Sequence, residues 1–165
     1  MKDSGLLAEA VKTAGLIRDD RFKADALRAI AESYAKLGEK EKASGLLAEA
    51  VKTARLISDD STKVDALCAV AETYAKLAES SNDRALYDQA FQCIEGLGHD
   101  ESRDKVLQSI LSTKLAVADV SRLYALRSRF ISEAGKARAL ARILMAVSHP
   151  ELIGKEKEAE DEDER

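Results

Sequence analysis

The chain has 165 residues, of which 45% are apolar and 34% charged, with a formal net charge of −4. This length allows one domain with a substantial core, and the acidic balance argues against a nucleic-acid footprint over the whole protein. No apolar run approaches the ~20 residues that span a bilayer, and Asp3 and Glu9 interrupt the segment where a signal sequence would be apolar. Cys68 and Cys93 form no paired motif, which favours a reducing compartment. We therefore expect a cytoplasmic protein.

The composition favours an all-α fold. Aromatic residues make up only 4% of the chain, so the core must consist mainly of Leu, Ile, Val and Ala. Ala and Leu, with abundant Glu and Lys, lose little side-chain freedom on a helix. The single proline, Pro150, leaves the first 149 residues without the strongest helix breaker. The high charge content, with one Asn and three Gln, is also typical of thermophilic proteins.

An internal repeat dominates the first half of the chain. Residues 5–44 recur as residues 45–84, and 26 of the 40 aligned positions are identical. The apolar pattern continues at lower identity, since Leu86, Ala90 and Leu97 follow their counterparts in the second unit by forty residues. A fixed period of this length is typical of a stacked array, in which each unit buries its apolar face only against a neighbour. Such an array favours an extended surface that holds a partner over a catalytic cleft.

Apolar spacings of three and four residues predict helices in chain order. The eight predicted helices cover 3–17, 21–37, 40–57, 61–79, 82–96, 101–117, 119–133 and 136–147. Asp19 or Asp20 is placed to cap the second helix, and Gly38 to end it in the left-handed conformation. Residues 154–165 are charged and have no apolar stripe, which predicts a disordered tail. The predicted domains are a helical repeat domain, 1–149, and an acidic tail, 150–165.

Residues 27–50 follow the order of residue types of a known repeat family. Large apolar, small and aromatic positions are occupied in turn by Leu27, Ile30, Ala31, Tyr34, Gly38, Ala43, Leu47 and Ala50. With these residues the stretch resembles a tetratricopeptide repeat, although the period here is 40 residues and the family's is about 34. The second unit departs further, with Ala78 at the turn glycine and Asp83 at the first alanine. The resemblance implies a right-handed α-α superhelix of about eight antiparallel helices. It also implies a scaffold that binds a peptide or a partner protein in its groove.

The resemblance further implies which residues line that groove, because in the family the first helix of each repeat faces it. These residues are Asp25, Arg28, Glu32 and Lys36, then Asp65, Cys68, Glu72 and Lys76, then Lys105, Gln108 and Ser112. They predict a polar groove of mixed charge that binds a peptide through hydrogen bonds and ion pairs. Alternatively, Glu32 with Lys36 and Glu72 with Lys76 form ordinary i,i+4 pairs that support their own helices. The two glutamates argue against the family's grip on a C-terminal carboxylate.

The C-terminal half supports a second hypothesis. Residues 102–149 contain nine basic residues and three acidic ones, whereas residues 150–165 contain eight acidic and three basic ones. The basic half could bind RNA or another polyanion in competition with the tail, or it could be a basic surface without a pattern. A third hypothesis is a regulatory subunit or a fragment of a longer array. Its basis is that the first predicted helix corresponds to the second helix of a repeat and is unpaired.

The residues that could perform chemistry form no recognisable site. His99 and His149 stand far apart in turn contexts, and no motif joins a nucleophile, a base and an orienting group. Helix capping explains the acidic pairs at 19–20 and 59–60 more simply than metal binding does. We therefore predict no enzymatic activity, no cofactor and no metal. The expected partner is a protein or peptide rather than nucleic acid or a membrane, and the expected state is a monomer or weak homo-oligomer.

Overall fold

A computed structural model describes residues 2–94, 104, 107–108 and 133–148 of the chain. Within these residues every regular element is an α-helix, which confirms the predicted all-α class for this part of the chain. The described helices are α1 (Lys2–Gly15), α2 (Asp20–Lys36), α3 (Lys40–Ala54), α4 (Asp60–Ser81), α5 (Arg84–Ile94) and α6 (Glu133–Ser148). The predicted helices at 101–117 and 119–133 lie almost entirely outside the described residues, as does the predicted domain boundary at 149–150. No described helix is both long and apolar enough to cross a bilayer.

The chain divides into two compact units, 1–98 and 99–165. The first unit contains α1 to α5. In it, α2 packs most extensively against α3, and α4 against α5. Connections of two or three residues join the helices of each pair, so each pair is an antiparallel hairpin. Helix α2 also contacts α4, so the first helices of the two hairpins lie side by side.

The sequence repeat reappears in how the first helix of each hairpin begins. Asp19 and Asp59 precede α2 and α4, and both have extended backbones, with φ and ψ of −82° and 119° in one and −78° and 118° in the other. The Asp19 carboxylate accepts a hydrogen bond from the Arg21 backbone N–H at 2.9 Å, and the Asp59 carboxylate accepts one from the Thr62 backbone N–H at 2.8 Å. These bonds satisfy N–H groups that have no partner within the helix. The predicted cap on α2 is confirmed at Asp19.

Helix α2 ends at the predicted glycine. Gly38 has a φ of +76°, a value that glycine adopts without steric cost. Its N–H donates to the Ala35 carbonyl at 3.0 Å, and the Glu39 N–H donates to the Tyr34 carbonyl at 3.0 Å. This pair of bonds is the Schellman motif that closes many helices. The C-terminal signal at Gly38 is therefore confirmed.

The second hairpin turns one helical turn later than the repeat predicts. Ala78 replaces the glycine there, and α4 continues to Ser81 before Asn82 takes the left-handed conformation with a φ of +51°. The Asp83 N–H then donates to the Ala78 carbonyl at 2.9 Å, which forms the same motif four residues further along. Asparagine tolerates this conformation better than most residues. As a result α4 has 22 residues against 17 in α2, and α5 has 11 against 15 in α3.

The core of the first unit consists of one stripe from each of α2 to α5. Its main members are Ala24, Leu27, Ala31 and Tyr34 from α2, Ala43, Leu46, Leu47, Ala50 and Ala54 from α3, Leu67, Val70, Ala71, Tyr74 and Leu77 from α4, and Leu86, Tyr87, Ala90 and Phe91 from α5. Leu37, the last residue of the predicted helix 21–37, is 46% exposed and lies outside this core.

Leu56, an apolar residue within the predicted helix 40–57, is 68% exposed, whereas the next residue, Ile57, is 8% exposed. Their N–H groups donate to carbonyls three residues earlier, on Thr53 and Ala54. Such 3₁₀-type bonds turn the chain more per residue than an α-helix does and rotate Leu56 away from the core.

Candidate functional site between α2 and α4

A groove runs between α2 and α4 on the surface of the first unit. Arg21 and Thr62, near the two helix starts, line one end, while Lys36 and Lys76 line the other, so the helices run in the same direction. The groove contains two pockets. The N-terminal pocket has a volume of about 320 Å³ and is lined by Arg21, Phe22, Ala24, Asp25, Arg28, Thr62, Asp65, Ala66, Ala69 and Val70. The C-terminal pocket has a volume of about 310 Å³ and is lined by Glu32, Ala35, Lys36, Thr73, Lys76, Leu77 and Ser80.

A hydrogen-bonded chain crosses the groove between the two pockets. The Arg28 guanidinium lies 2.7 Å from Asp25 Oδ1 through Nη2 and 3.0 Å from Glu32 Oε1 through Nη1. The Thr73 hydroxyl on α4 donates to Glu32 Oε1 at 3.3 Å and also lies 3.0 Å from the Ala69 carbonyl oxygen. The chain thus ties α2 to α4. It also pairs Glu32 with Arg28 and not with Lys36, so the alternative i,i+4 pair of α2 is not formed.

The C-terminal pocket is positively charged. Lys36 and Lys76 are exposed, and neither ammonium forms an ion pair with a carboxylate in the described part of the chain. Glu32 is the only acid that lines this pocket among the described residues, and Arg28 already pairs with it. Two ammonium groups from repeat-equivalent positions therefore face the pocket uncompensated. They can attract a carboxylate or a phosphate.

The N-terminal pocket is amphipathic. The Phe22 side chain is 62% exposed, and the Arg21 guanidinium lies 5.9 Å from the centroid of its ring. Ala66 and Ala69 of α4 contribute small apolar surface, while Asp65 stands exposed at the rim. This end of the groove can accept an apolar side chain, with polar groups beside it for hydrogen bonds.

The structure places six of the predicted site residues in the groove. Asp25, Arg28 and Asp65 line the N-terminal pocket, and Glu32, Lys36 and Lys76 line the C-terminal pocket. Cys68 is buried and Glu72 is half-buried, and neither lines either pocket. In the second unit Gln108 is helical and half-buried, while Lys105 and Ser112 lie outside the described residues.

The groove also contains residues that sequence analysis missed. The resemblance selected the same repeat positions on α2 and on α4. The positions of α4 that line the groove are partly different from those of α2. The α4 lining includes Ala66, Ala69, Thr73 and Leu77. Small residues at spacings of three and four on α4 were the available signal, because a close helix contact requires them. Phe22 could have been found as an exposed aromatic residue where the second repeat has Thr62.

The two cysteines and the buried tyrosines lie away from the groove. Burial raises the pKa of the Cys93 thiol to about 12, and its sulfur lies 3.1 Å from the Gln89 carbonyl oxygen. Burial also raises the pKa of Tyr74 to about 12, and its hydroxyl donates to the Ser44 carbonyl at 3.3 Å. The Cys93 thiol is therefore protonated and unreactive near neutral pH. Among the described residues no group of three His, Cys, Asp or Glu side chains could hold a metal ion.

Most of the predicted basic surface at 102–149 lies outside the described residues. Of its nine basic residues, only Lys136, Arg138 and Arg142 belong to a described helix, α6.

Comparison with protein-family models, curated proteins and solved structures finds no match for this chain.

Proposed function

We propose that this protein is a non-enzymatic binding module that holds an extended acidic segment of a partner protein in the α2–α4 groove. The observation that carries this proposal is the pair of uncompensated lysines, Lys36 and Lys76, in the C-terminal pocket. The proposed architecture is a tetratricopeptide-like right-handed superhelix. It is supported by the two repeated hairpins and by the contact between their first helices.

The two ends of the groove favour different ligand side chains. The N-terminal pocket offers Phe22 and two alanines to an apolar side chain, and the C-terminal pocket offers ammonium groups to an acidic one. Phe22 and Lys36 are 14 positions apart on one helix (36 − 22), which corresponds to ~21 Å. An extended chain covers this distance in about seven residues. The proposed ligand is therefore a segment of about seven residues with an apolar residue near one end and an acidic residue near the other.

A binding role also agrees with the chemistry of the described side chains. The buried Cys93 thiol has a raised pKa. The ion pairs of Arg28 with Asp25 and Glu32 lie within α2, and the Thr73 hydrogen bond to Glu32 joins them to α4. Neither arrangement supplies an activated nucleophile inside the groove. The polar groups that line the groove are suited to recognising a ligand rather than transforming one.

Charge reversal at the two lysines tests the proposal. Displayed random heptapeptides are selected on the protein, and the best binder is titrated by fluorescence anisotropy at low ionic strength. We expect the selected peptides to be enriched in Asp or Glu. The double variant Lys36→Glu plus Lys76→Glu should weaken binding by about tenfold or more, because two attractive contacts become repulsive. The loss should shrink as salt is added, since salt screens exposed charges.

The matched control is Lys12→Glu plus Lys52→Glu. These lysines are also exposed and repeat-equivalent, but they lie on α1 and α3, outside the lining of the groove. The control changes the net charge by the same amount and should leave the affinity within about twofold. Equal losses of affinity in both double variants would mean that the effect comes from overall charge, which would contradict the groove assignment. Selected peptides without acidic residues would contradict the assignment of the ligand.

A further inference from the structure

Two helices of the first unit share a ten-residue sequence but differ in how much of it is buried. Residues 5–14 of α1 and residues 45–54 of α3 both read GLLAEAVKTA. In α3, Leu46 is 9% exposed and Leu47 is fully buried. In α1, Leu6 is 66% exposed and Leu7 is only half-buried. Because the local sequence is identical, the difference comes from what packs against each helix.

The structure shows which contact α1 lacks. Helix α3 packs extensively against α2, its hairpin partner, and less extensively against α4. Helix α1 contacts α2 about as extensively as α3 contacts α4. The contact that α3 makes with the first helix of the next hairpin therefore has its counterpart in the contact of α1 with α2. No described helix packs against α1 as extensively as α2 packs against α3. The open face of α1 therefore matches a helix of the α2 type, which packs most extensively on α3 and whose stripe of Ala24, Leu27, Ala31 and Tyr34 is buried.

Helix α6 has the sequence of such a helix. Residues 136–143 read KARALARI, and residues 23–30 of α2 read KADALRAI, with five of eight positions identical. Ala137 and Leu140 of α6 correspond to Ala24 and Leu27 of α2, which are each only 1% exposed. In α6 the same positions are open, since Ala137 is exposed and Leu140 is 39% exposed.

The open stripe continues along α6. Leu144, which corresponds to the buried Ala31 of α2, is 67% exposed, and Ala141 beside it is also exposed. The opposite side of α6 is packed, because Ala139 is fully buried. Helix α6 thus carries an apolar stripe at helical spacing with no described helix over it. In α2 the corresponding stripe is buried, and α2 packs most extensively on α3, which carries the same ten-residue sequence as α1.

We propose that the chain associates end to end with copies of itself, with α6 of one copy packed antiparallel on α1 of the next. The contact recreates between two molecules the hairpin that α2 and α3 form within one. It joins two different surfaces, so each copy keeps one free end, and the assembly grows as a chain of copies or closes as a ring. It involves neither α4 nor the lysines of the α2–α4 groove.

The test measures molar mass against concentration for the full chain, by light scattering and sedimentation. The wild-type protein should be a 17.9 kDa monomer when dilute and should rise in average mass as its concentration increases. Leu6→Glu and Leu144→Glu should each remove this rise, weakening association by about tenfold or more, because each places a charge in the apolar contact. Both leucines are more than half exposed, so both variants should keep the helical circular-dichroism spectrum of the wild type.

Mixing the two variants is the decisive arm. The Leu6→Glu variant has an unchanged α6, and the Leu144→Glu variant has an unchanged α1. An equimolar mixture should therefore form a dimer of twice 17.9 kDa that grows no further. Leu56→Glu is the matched control, because Leu56 is 68% exposed but lies on neither α1 nor α6. It should associate like the wild type. A wild type that stays monomeric up to about 1 mM would overturn the proposal. So would association that both end variants retain, or a mixture that forms no dimer.

Discussion

Replacing Leu47 by alanine is expected to lower the free energy of unfolding by about 2–5 kcal/mol. Leu47 is fully buried on α3, which packs most extensively against α2, and alanine there would leave a cavity that the neighbouring helices fill only in part. Urea denaturation followed by circular dichroism measures the change. The slope against denaturant should stay the same, because the surface exposed on unfolding hardly changes.

Leu6→Ala is the matched control for this prediction. Leu6 lies in the same ten-residue sequence on α1, but it is 66% exposed, so its loss should cost less than about 1 kcal/mol. Both measurements are made at a concentration where the protein is monomeric. Equal costs for Leu47→Ala and Leu6→Ala would mean that α1 and α3 are equally covered. That result would contradict the packing of the first unit.

Raising the pH from 9 to 11 is expected to lower the free energy of unfolding by roughly 3–4 kcal/mol through Cys93 and Tyr74. Burial raises the folded-state pKa of both groups to about 12, from 9.0 for the thiol and 10.0 for the phenol. Above pH 9 the unfolded chain loses these protons while the folded chain keeps them. The stability they contribute is thus fully present below pH 9 and is lost as the pH rises toward 12.

The double variant Cys93→Ala plus Tyr74→Phe separates this effect from the titration of other groups. The variant starts from a lower stability, because it loses the Tyr74 hydrogen bond to Ser44 and some packing. Its stability should nevertheless fall less steeply than that of the wild type between pH 9 and 11. Parallel curves for the two proteins would show that Cys93 and Tyr74 ionise alike in the folded and unfolded states.

Helix positions could be predicted from the sequence where one residue carries a local signal. Asp19 caps α2, and Gly38 ends it, because both act through bonds to the backbone nearby. The turn after α4 was predicted too early, because Ala78 replaces the glycine and Asn82 closes the helix instead. The orientation of Leu56 also escaped prediction, since apolar periodicity assumes an α-helix, and the bonding there is of the 3₁₀ type.

The candidate site could be predicted in part. The resemblance led to Asp25, Arg28 and Lys36 because it selects the side of α2 that faces α4, and all three residues lie in the groove. Transferring the same positions to α4 led to Cys68, which is buried and lines neither pocket. A repeat-equivalent position has an equivalent environment only if the neighbouring helices are also equivalent. Asp65 and Lys76 do line the groove, but the rest of the α4 lining is shifted to Ala66, Ala69 and Thr73. The pairing of Arg28 with Glu32 also depends on side-chain geometry that the sequence does not specify.

Chemical-shift mapping with a selected acidic heptapeptide tests the central claim most directly. The backbone amides of the labelled protein are assigned, and the peptide is added in steps. The account predicts that the largest shifts occur at Lys36, Thr73, Lys76 and Ser80, with a second group around Phe22 and Ala69. Shifts concentrated instead on the outer faces of α3 and α5, with the α2–α4 groove unchanged at saturation, would contradict it.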